Sequence, residues 1–311
     1  MARILVTGAA GFIGRALSRS LVEKGHIVIG CSRSPAEPIP GVDLEPIGDI
    51  GPRTDWSGRL DHVDVVIHLA NRAHRSVLDS RAGNEAEAAA ALLFAAAKAG
   101  VSRLVHMSSV RAMGDMTPPG APFRNTDPPS PQDRYGQGKL AIEQALRTAA
   151  RNADIKLVIL RPPLVYGPGV RANFRALMRL VATGMPLPFA GIDNRRSMIF
   201  LGNLVDLVER VCWHPDATGR TLLVRDGLDL STPELIRVLA AALGRPPHLF
   251  GLPHPTWAAF RRLPMLGPLN ARLTLSLQID DAQTRAMLDW RPAVAPEIGL
   301  AETARWFCAR R

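Results

Sequence analysis

The amino-acid sequence predicts an α/β fold, a doubly wound parallel sheet joined to a smaller mixed α/β C-terminal domain. Two patterns predict it. Through the first half, apolar runs of strand length alternate with segments of helix length, the order that builds a parallel sheet. The first of these strands also leads directly into a glycine-rich turn and a helix, Gly8-Ala9-Ala10-Gly11-Phe12-Ile13-Gly14, which is the strand–turn–helix arrangement that cradles a dinucleotide pyrophosphate. Near residue 165 the alternation weakens and proline and glycine increase, so the domain boundary is expected there. The expected organisation is a dinucleotide-binding domain over 1–165, a return segment around 197–228, and a second domain occupying most of 166–311.

Arg3 to Thr7 is short, apolar and β-branched, and reads as a buried strand. In the turn that follows, Gly8 permits the tight bend, Gly11 the close approach of a phosphate, and Gly14 close contact between helix and strand. The helix start at Phe12 and Ile13 adds free N–H groups and the positive end of the helix dipole, so Gly8, Gly11, Phe12, Ile13 and Gly14 are candidate cofactor-binding residues. Gly25 ends this helix and Ile27 to Cys31 is the second strand, followed by Ser32-Arg33. An NAD site usually carries an acidic residue at this point. A hydroxyl and a guanidinium suit a 2′-phosphate instead, which favours NADP(H) over NAD(H). The competing reading makes Arg33 an ordinary surface arginine.

Val42 to Asp49 is expected as the third strand, ending in Gly48-Asp49-Ile50. Val63 to Ala70, apolar but for Asp64 and His68, reads as a strand of a sheet covered on both faces, and ends in Leu69-Ala70. An alanine-rich helix follows from Gly83 to Ala99, small-faced enough to pack closely on another helix within the chain or across a dimer. Ser102 to Met107 is the next strand, with Ser108-Ser109 at its carboxyl end, facing the ligand crevice of such a sheet. After a proline-rich loop, Ser130 is expected to cap a helix with Pro131 in its first turn and Asp133 three residues on. Tyr135 and Lys139 then share one helix face. An ammonium beside a phenol favours phenolate, so the pair is suited to proton transfer. Gly136 and Gly138 each cost about 1 kcal/mol in a helix interior, which is understandable where something approaches the backbone. The plain alternative is an exposed helix with a tyrosine on its edge. Lys156 to Leu160 is a further strand, Asn203 opens a helix, Thr221 to Val224 is expected at the sheet edge, and Ser231 to Glu234 is a capping box.

Hydrophobic content of 47% with 21% charged residues is that of a globular protein. No apolar run reaches membrane-spanning length, and the N-terminus starts a strand rather than a signal peptide. Cys31, Cys212 and Cys308 are few and widely spaced, which fits free thiols in the cytoplasm and no metal site. The net charge of +10 invites a nucleic-acid reading. The arginines are dispersed, however, without a basic run or interleaved aromatics, so neither nucleic acid nor membrane is expected as a partner, and anionic small molecules fit better.

Taken together, the motifs resemble the extended short-chain dehydrogenase/reductases. The resemblance rests on Thr7-Gly8-x-x-Gly11-x-x-Gly14, His68-Leu69-Ala70, Tyr135-x-x-x-Lys139, Tyr166-Gly167-Pro168-Gly169 and Leu288-Asp289-Trp290-Arg291-Pro292, in that order along nearly the whole chain. It implies a Rossmann-type first domain and a nucleotide-sugar-binding second one. It also implies catalytic roles for Ser109, Tyr135 and Lys139, and cofactor contacts from Ser32, Arg33, Asp49, Ile50, Leu69, Ala70, Tyr135, Lys139 and Pro162. Ser109, Arg111, Tyr135, Asn173, Arg196 and, more loosely, Arg272 are implied on the substrate side, the last three at its diphosphate. Gly138, Met113, Leu164, Asn71 and Glu85 depart from the family pattern, Glu85 standing where an asparagine is usual.

The implied activity is NAD(P)H-dependent oxidoreduction at carbon 4 of a nucleotide-linked, UDP-type sugar in surface-polysaccharide precursor synthesis. Arg33 tips the expectation towards a 4-keto-6-deoxy-hexose or N-acetylhexosamine 4-reductase. The alternative is a UDP-sugar 4-epimerase of the UDP-glucose/UDP-N-acetylglucosamine type with tightly bound NAD. A non-catalytic NADP-sensing regulator is the reading from another class, and the tyrosine–lysine pair argues against it. A homodimer is expected through the helices near 83–99 and 133–150.

Overall fold

Seven strands form one parallel sheet in the computed structural model, which describes residues 1–70, 82–252 and 273–310. In chain order they are β1 (Arg3–Thr7), β2 (Ile27–Ser32), β3 (Val42–Pro46), β4 (Val65–His68), β5 (Arg103–Met107), β6 (Lys156–Arg161) and, after two short strands elsewhere, β9 (Thr221–Leu223). Their spatial order is β3-β2-β1-β4-β5-β6-β9. The chain therefore winds outward one way from β1 and the other way from β4, and a ligand crevice is expected outside the carboxyl ends at this reversal. The register pairs Leu5 with Ile29 on one side and with Val66 on the other.

Helices cover both faces because successive strand residues point to opposite sides. Ile4, Val6, Val65 and Ile67 face α1 (Phe12–Glu23) and α5 (Leu201–Trp213), packing on Leu17, Leu21, Leu204 and Val208. Leu5, Val66 and Leu104 face the other way, onto α2 (Ala82–Lys98) and α3 (Arg134–Arg151), against Ala89, Leu92, Leu93, Ile142 and Leu146. The uninterrupted apolar strands of the sequence thus bury both of their faces. The third strand stops at Pro46, short of the expected Asp49, where Gly48 at φ +75° turns the chain. The fourth is likewise shorter than 63–70, only Val65–His68 pairing as strand.

A second lobe has its own core. Two short parallel strands, β7 (Leu164–Tyr166) and β8 (Met198–Phe200), pack with α4 (Ala172–Ala182), α6 (Thr232–Ala242) and α8 (Pro296–Cys308) around Tyr166, Phe174, Met178, Phe200, Leu239 and Phe307. Helix α7 (Ala282–Leu288) closes on Trp290, whose indole N–H donates to Asp206 on α5 at 2.8 Å. After β8 the chain returns to the large sheet as α5 and β9, and β9 takes the edge beside β6. The capping box at Ser231 and Glu234 forms as its sequence requires. Among the described residues, no helix is long and apolar enough to cross a membrane.

Candidate active site

The glycine turn carries the geometry its sequence needs. Gly8 adopts φ +73°, and its N–H and that of Ala9 donate to the Cys31 carbonyl at 2.9 and 3.1 Å. A side chain at Gly8 would come within 2.9 Å of the Ala70 nitrogen, and one at Gly14 would run into the Gly8 carbonyl. Gly11 then begins α1 with no side-chain cap and no acidic residue in the first turn. The first-turn N–H groups and the positive dipole end therefore remain for an anion, a cradle that fits a pyrophosphate.

A cleft of about 590 Å³ runs along the carboxyl ends of β3, β2, β1 and β4. Its lining includes Ser32, Arg33, Asp49 and Ile50 from the first two, Gly8 and Gly11 from the turn, Leu69 and Ala70 after β4, and Glu85 of α2. The length and lining suit an extended dinucleotide. Arg33, however, is paired: its Nε lies 2.9 Å from Asp49 Oδ1 in an ion pair, with both side chains about half-exposed. A 2′-phosphate there would meet the carboxylate as well as the guanidinium, so the argument from Arg33 for NADP(H) over NAD(H) loses its force.

Helix α3 starts later than expected. Asp133, not Ser130, is its cap, accepting the Gly136 N–H on Oδ1 at 2.7 Å. Both residues are good caps by type; tertiary contact decides between them. Ser130 donates its N–H to the Met113 carbonyl at 2.9 Å, while Asp133 Oδ2 accepts from Arg111 Nη2 at 2.6 Å. Gly136 has no room for a side chain, because a Cβ would strike the Arg111 carbonyl and lie 2.9 Å from Pro131. Gly138 meets no protein atom within 4 Å and has no such constraint among the described residues.

These contacts lock α3 to the turn after β5. Ser109 caps a 3-10 turn over Val110–Ala112, its Oγ accepting the Arg111 N–H at 3.2 Å, which leaves the hydroxyl proton to be donated. Ser108 is committed to the interior: it is 3% exposed and donates to Glu143 Oε1 at 2.5 Å. Lys139, 3% exposed, donates from Nζ to the Met107 carbonyl at 2.9 Å. Burial pushes its pKa down to about 8, with Glu85 and then Glu143 opposing the shift, so it is mainly an ammonium at neutral pH. Tyr135, one turn earlier, is 38% exposed.

Other predicted residues are more dispersed. Arg111, expected on the substrate side, holds Asp115 at 3.0 Å as well as Asp133. Pro162 is buried and accepts the Val110 N–H on its carbonyl at 2.9 Å. Asn173 is exposed in the first turn of α4. Arg196 lies before β8, half-buried, its Nη1 donating to the Leu275 carbonyl at 2.9 Å. Arg272 and Asn71 lie outside the described residues.

Two buried residues beside the site, Glu143 and His68, carry no role predicted from sequence, although His68 stands in the His68-Leu69-Ala70 motif. Glu143 is fully buried and accepts from Arg161 Nε and Nη2 at 2.9 and 2.6 Å and from Arg147 at 2.9 Å. Its signal was present: it follows Lys139 by one turn on the face that carries Tyr135. His68 shares a 2.8 Å hydrogen bond with Thr7 Oγ1 and stacks on His106 at 5.3 Å between centroids. Burial and, second, the charge of Lys139 push the His68 pKa down to about 4 and hold that of His106 well below its ordinary value, so both rings are neutral.

Comparison with known proteins finds that the NAD dependent epimerase/dehydratase family matches residues 4–224. The chain is 39% identical to UDP-glucose 4-epimerase of Vibrio cholerae over 98% of this chain and 95% of that protein. It is 31% identical to UDP-glucose 4-epimerase of Mycolicibacterium smegmatis, over 98% of each. Among solved structures it is similar to MoeE5 in complex with UDP-glucuronic acid and NAD, with a TM-score of 0.81, 24% identity and coverage of 99% of this chain and 100% of that one. The UDP-glucuronic acid 4-epimerase from Bacillus cereus in complex with NAD gives 0.79 and 22%, over 99% of both chains. At these identities the structural likeness shows the fold.

Proposed function

The chain belongs to the NAD dependent epimerase/dehydratase family, and on that premise we propose that it is a UDP-sugar 4-epimerase that uses NAD. It would interconvert the two configurations at carbon 4 of a UDP-hexose of the UDP-glucose type. The observation that carries this reading is the 39% identity to a UDP-glucose 4-epimerase over 98% of the chain, so the likeness extends through the second lobe as well as the cofactor half. The 4-reductase expectation rested on Arg33, and the Asp49 carboxylate facing that guanidinium removes its support. The MoeE5 and Bacillus cereus structures are also complexes with NAD.

In this mechanism Tyr135 takes the proton of the sugar 4-hydroxyl as carbon 4 is oxidised and returns it when the keto oxygen is reduced on the other face. Ser109 donates its hydroxyl proton to the same sugar oxygen and holds it against Tyr135. Lys139 supplies the positive charge that favours phenolate, and its hydrogen bond to the Met107 carbonyl fixes the ammonium under the site. NAD, when bound, supplies the hydride acceptor and then the donor at carbon 4, so no reductant is consumed overall. Asn173, Arg196 and Arg272 are assigned to the substrate diphosphate, where a guanidinium can bind two oxygens at once. Arg111 is assigned to holding Asp133 and the start of α3 rather than to gripping the sugar directly.

The test is purified protein with UDP-glucose or UDP-galactose and no added NADPH. An equilibrium mixture of the two sugars formed from either side supports the proposal. Turnover only of a UDP-4-keto-6-deoxy sugar, with one NADPH consumed per product, would refute it in favour of the reductase. The reading includes a homodimer through α2 and α3, on whose surface Phe94 is 46% exposed. Sedimentation at the monomer mass would remove that part.

A further inference from the structure

We propose that Arg171, from the second lobe, is a ligand of the cofactor pyrophosphate and closes over the glycine turn. The inference rests on the family's dinucleotide site and is independent of which sugar is the substrate.

The open start of α1 offers N–H groups and a partial positive charge to a pyrophosphate, but no side-chain cation of its own. Arg15, on the first turns of α1, is turned away, its guanidinium donating to the Glu37 and Pro38 carbonyls at 2.5 and 3.4 Å. Arg33, at the other side of the same cleft, is paired with Asp49. Arg171 lines this cleft together with Gly8, Ala10 and Gly11, although it is more than 150 residues away in sequence. Among the described residues it has no hydrogen-bond or ion-pair partner.

The local backbone is built to bring it there. Gly169 takes φ +94° and lies against the ring of Phe12, the first residue of α1; a Cβ on it would stand 3.4 Å from that ring. The Phe12 side chain in turn packs against the core of the second lobe. Directly after Arg171, Ala172 adopts φ +51°, a left-handed conformation that an alanine seldom takes. Such outliers persist where the surroundings fix them, commonly at ligand clamps. The strained corner and the Phe12 contact together hold a free guanidinium beside the turn that lacks one. A guanidinium matches pyrophosphate oxygens in bidentate fashion, and the cofactor would then be gripped by both lobes at once.

The experiment uses cofactor-stripped full-length protein, with NAD and UDP affinities measured separately by calorimetry for the wild type, Arg171→Gln and Arg171→Lys. Loss of a charge-assisted contact predicts that Arg171→Gln weakens NAD about tenfold, that Arg171→Lys recovers part of this, and that UDP binding is unchanged. Unchanged UDP binding also shows that the second lobe is folded. NAD affinity equal to that of the wild type in Arg171→Gln would overturn the inference. So would weakening of UDP alone, which would assign Arg171 to the substrate diphosphate. Both readouts are binding constants, so a failed epimerase assay would leave this result standing.

Discussion

Replacing Lys139 by methionine should abolish turnover while making the protein more stable at neutral pH. The side chain is 3% exposed, and burial lowers its pKa from 10.5 to about 8. At about 1.4 kcal/mol per tenfold, keeping this group charged in the fold at pH 7 costs about 3 kcal/mol. Methionine has similar length and no charge to desolvate. It leaves the Met107 carbonyl without its 2.9 Å partner, a loss of about 1 kcal/mol. The net gain is about 2 kcal/mol, or roughly 4 °C in Tm for a chain of this size. The pH dependence gives the sign a second check. Between pH 8 and 10.5 the unfolded lysine binds a proton that the folded one has released, so wild-type stability rises with pH through this window. The variant lacks this rise, so its advantage should be full below pH 8 and shrink towards pH 10.5. Thermal unfolding of the cofactor-free proteins at pH 7 and pH 10 measures both. A variant less stable than the wild type at pH 7, or an advantage that does not shrink, would show that the ammonium is held on favourable terms and sink the reasoning.

Tyr135→Phe should lower kcat by roughly 10²- to 10⁴-fold while NAD affinity stays near that of the wild type, as read by single-turnover kinetics and calorimetry; undiminished turnover would remove Tyr135 from the mechanism. Asp49→Asn frees Arg33 from its exposed ion pair, so the affinity ratio of NADP to NAD should rise roughly two- to fivefold, and an unchanged ratio would mean that the pair does not govern cofactor choice. With Lys139 near 8, epimerase activity should fall as pH rises through that value. Glu85→Gln removes the leading charge that favours the ammonium, so this alkaline limb should move to lower pH; a limb that stays in place would show that another group sets it.

The parts of this protein that were legible in sequence are those set by local geometry. The glycine turn reads correctly because Gly8 takes a positive φ in the turn itself and Gly14 is forced by contact with Gly8 and Ala9 of the same strand–turn–helix unit. The sheet reads correctly because strands buried on both faces are apolar throughout. What sequence spacing hid is pairing between elements. Arg33 and Asp49 are each expected beside the cofactor, but nothing in their spacing shows that the two charges meet. They meet because β2 and β3 run parallel and adjacent, so residues just past their ends stand together. The start of α3 shows the same limit: Ser130 and Asp133 are both lawful caps, and only Arg111, from the turn after β5, selects the second.

The face of α3 carries this argument furthest. Tyr135, Lys139 and Glu143 follow one another at single turns, and their exposures are 38%, 3% and 0%, so the helix runs from the cleft into the covered side of the sheet. A lone buried lysine followed by a buried glutamate would read as an ion pair closed on itself. Here the Glu143 carboxylate is already met by Arg161 at 2.6 Å, by Arg147 at 2.9 Å and by the Ser108 hydroxyl. Its negative charge is largely answered from that side, and Nζ of Lys139 donates to a neutral carbonyl instead. In the proposed mechanism the charge of Lys139, faced by Glu85 more strongly than by Glu143, acts on Tyr135 one turn earlier on the same helix face.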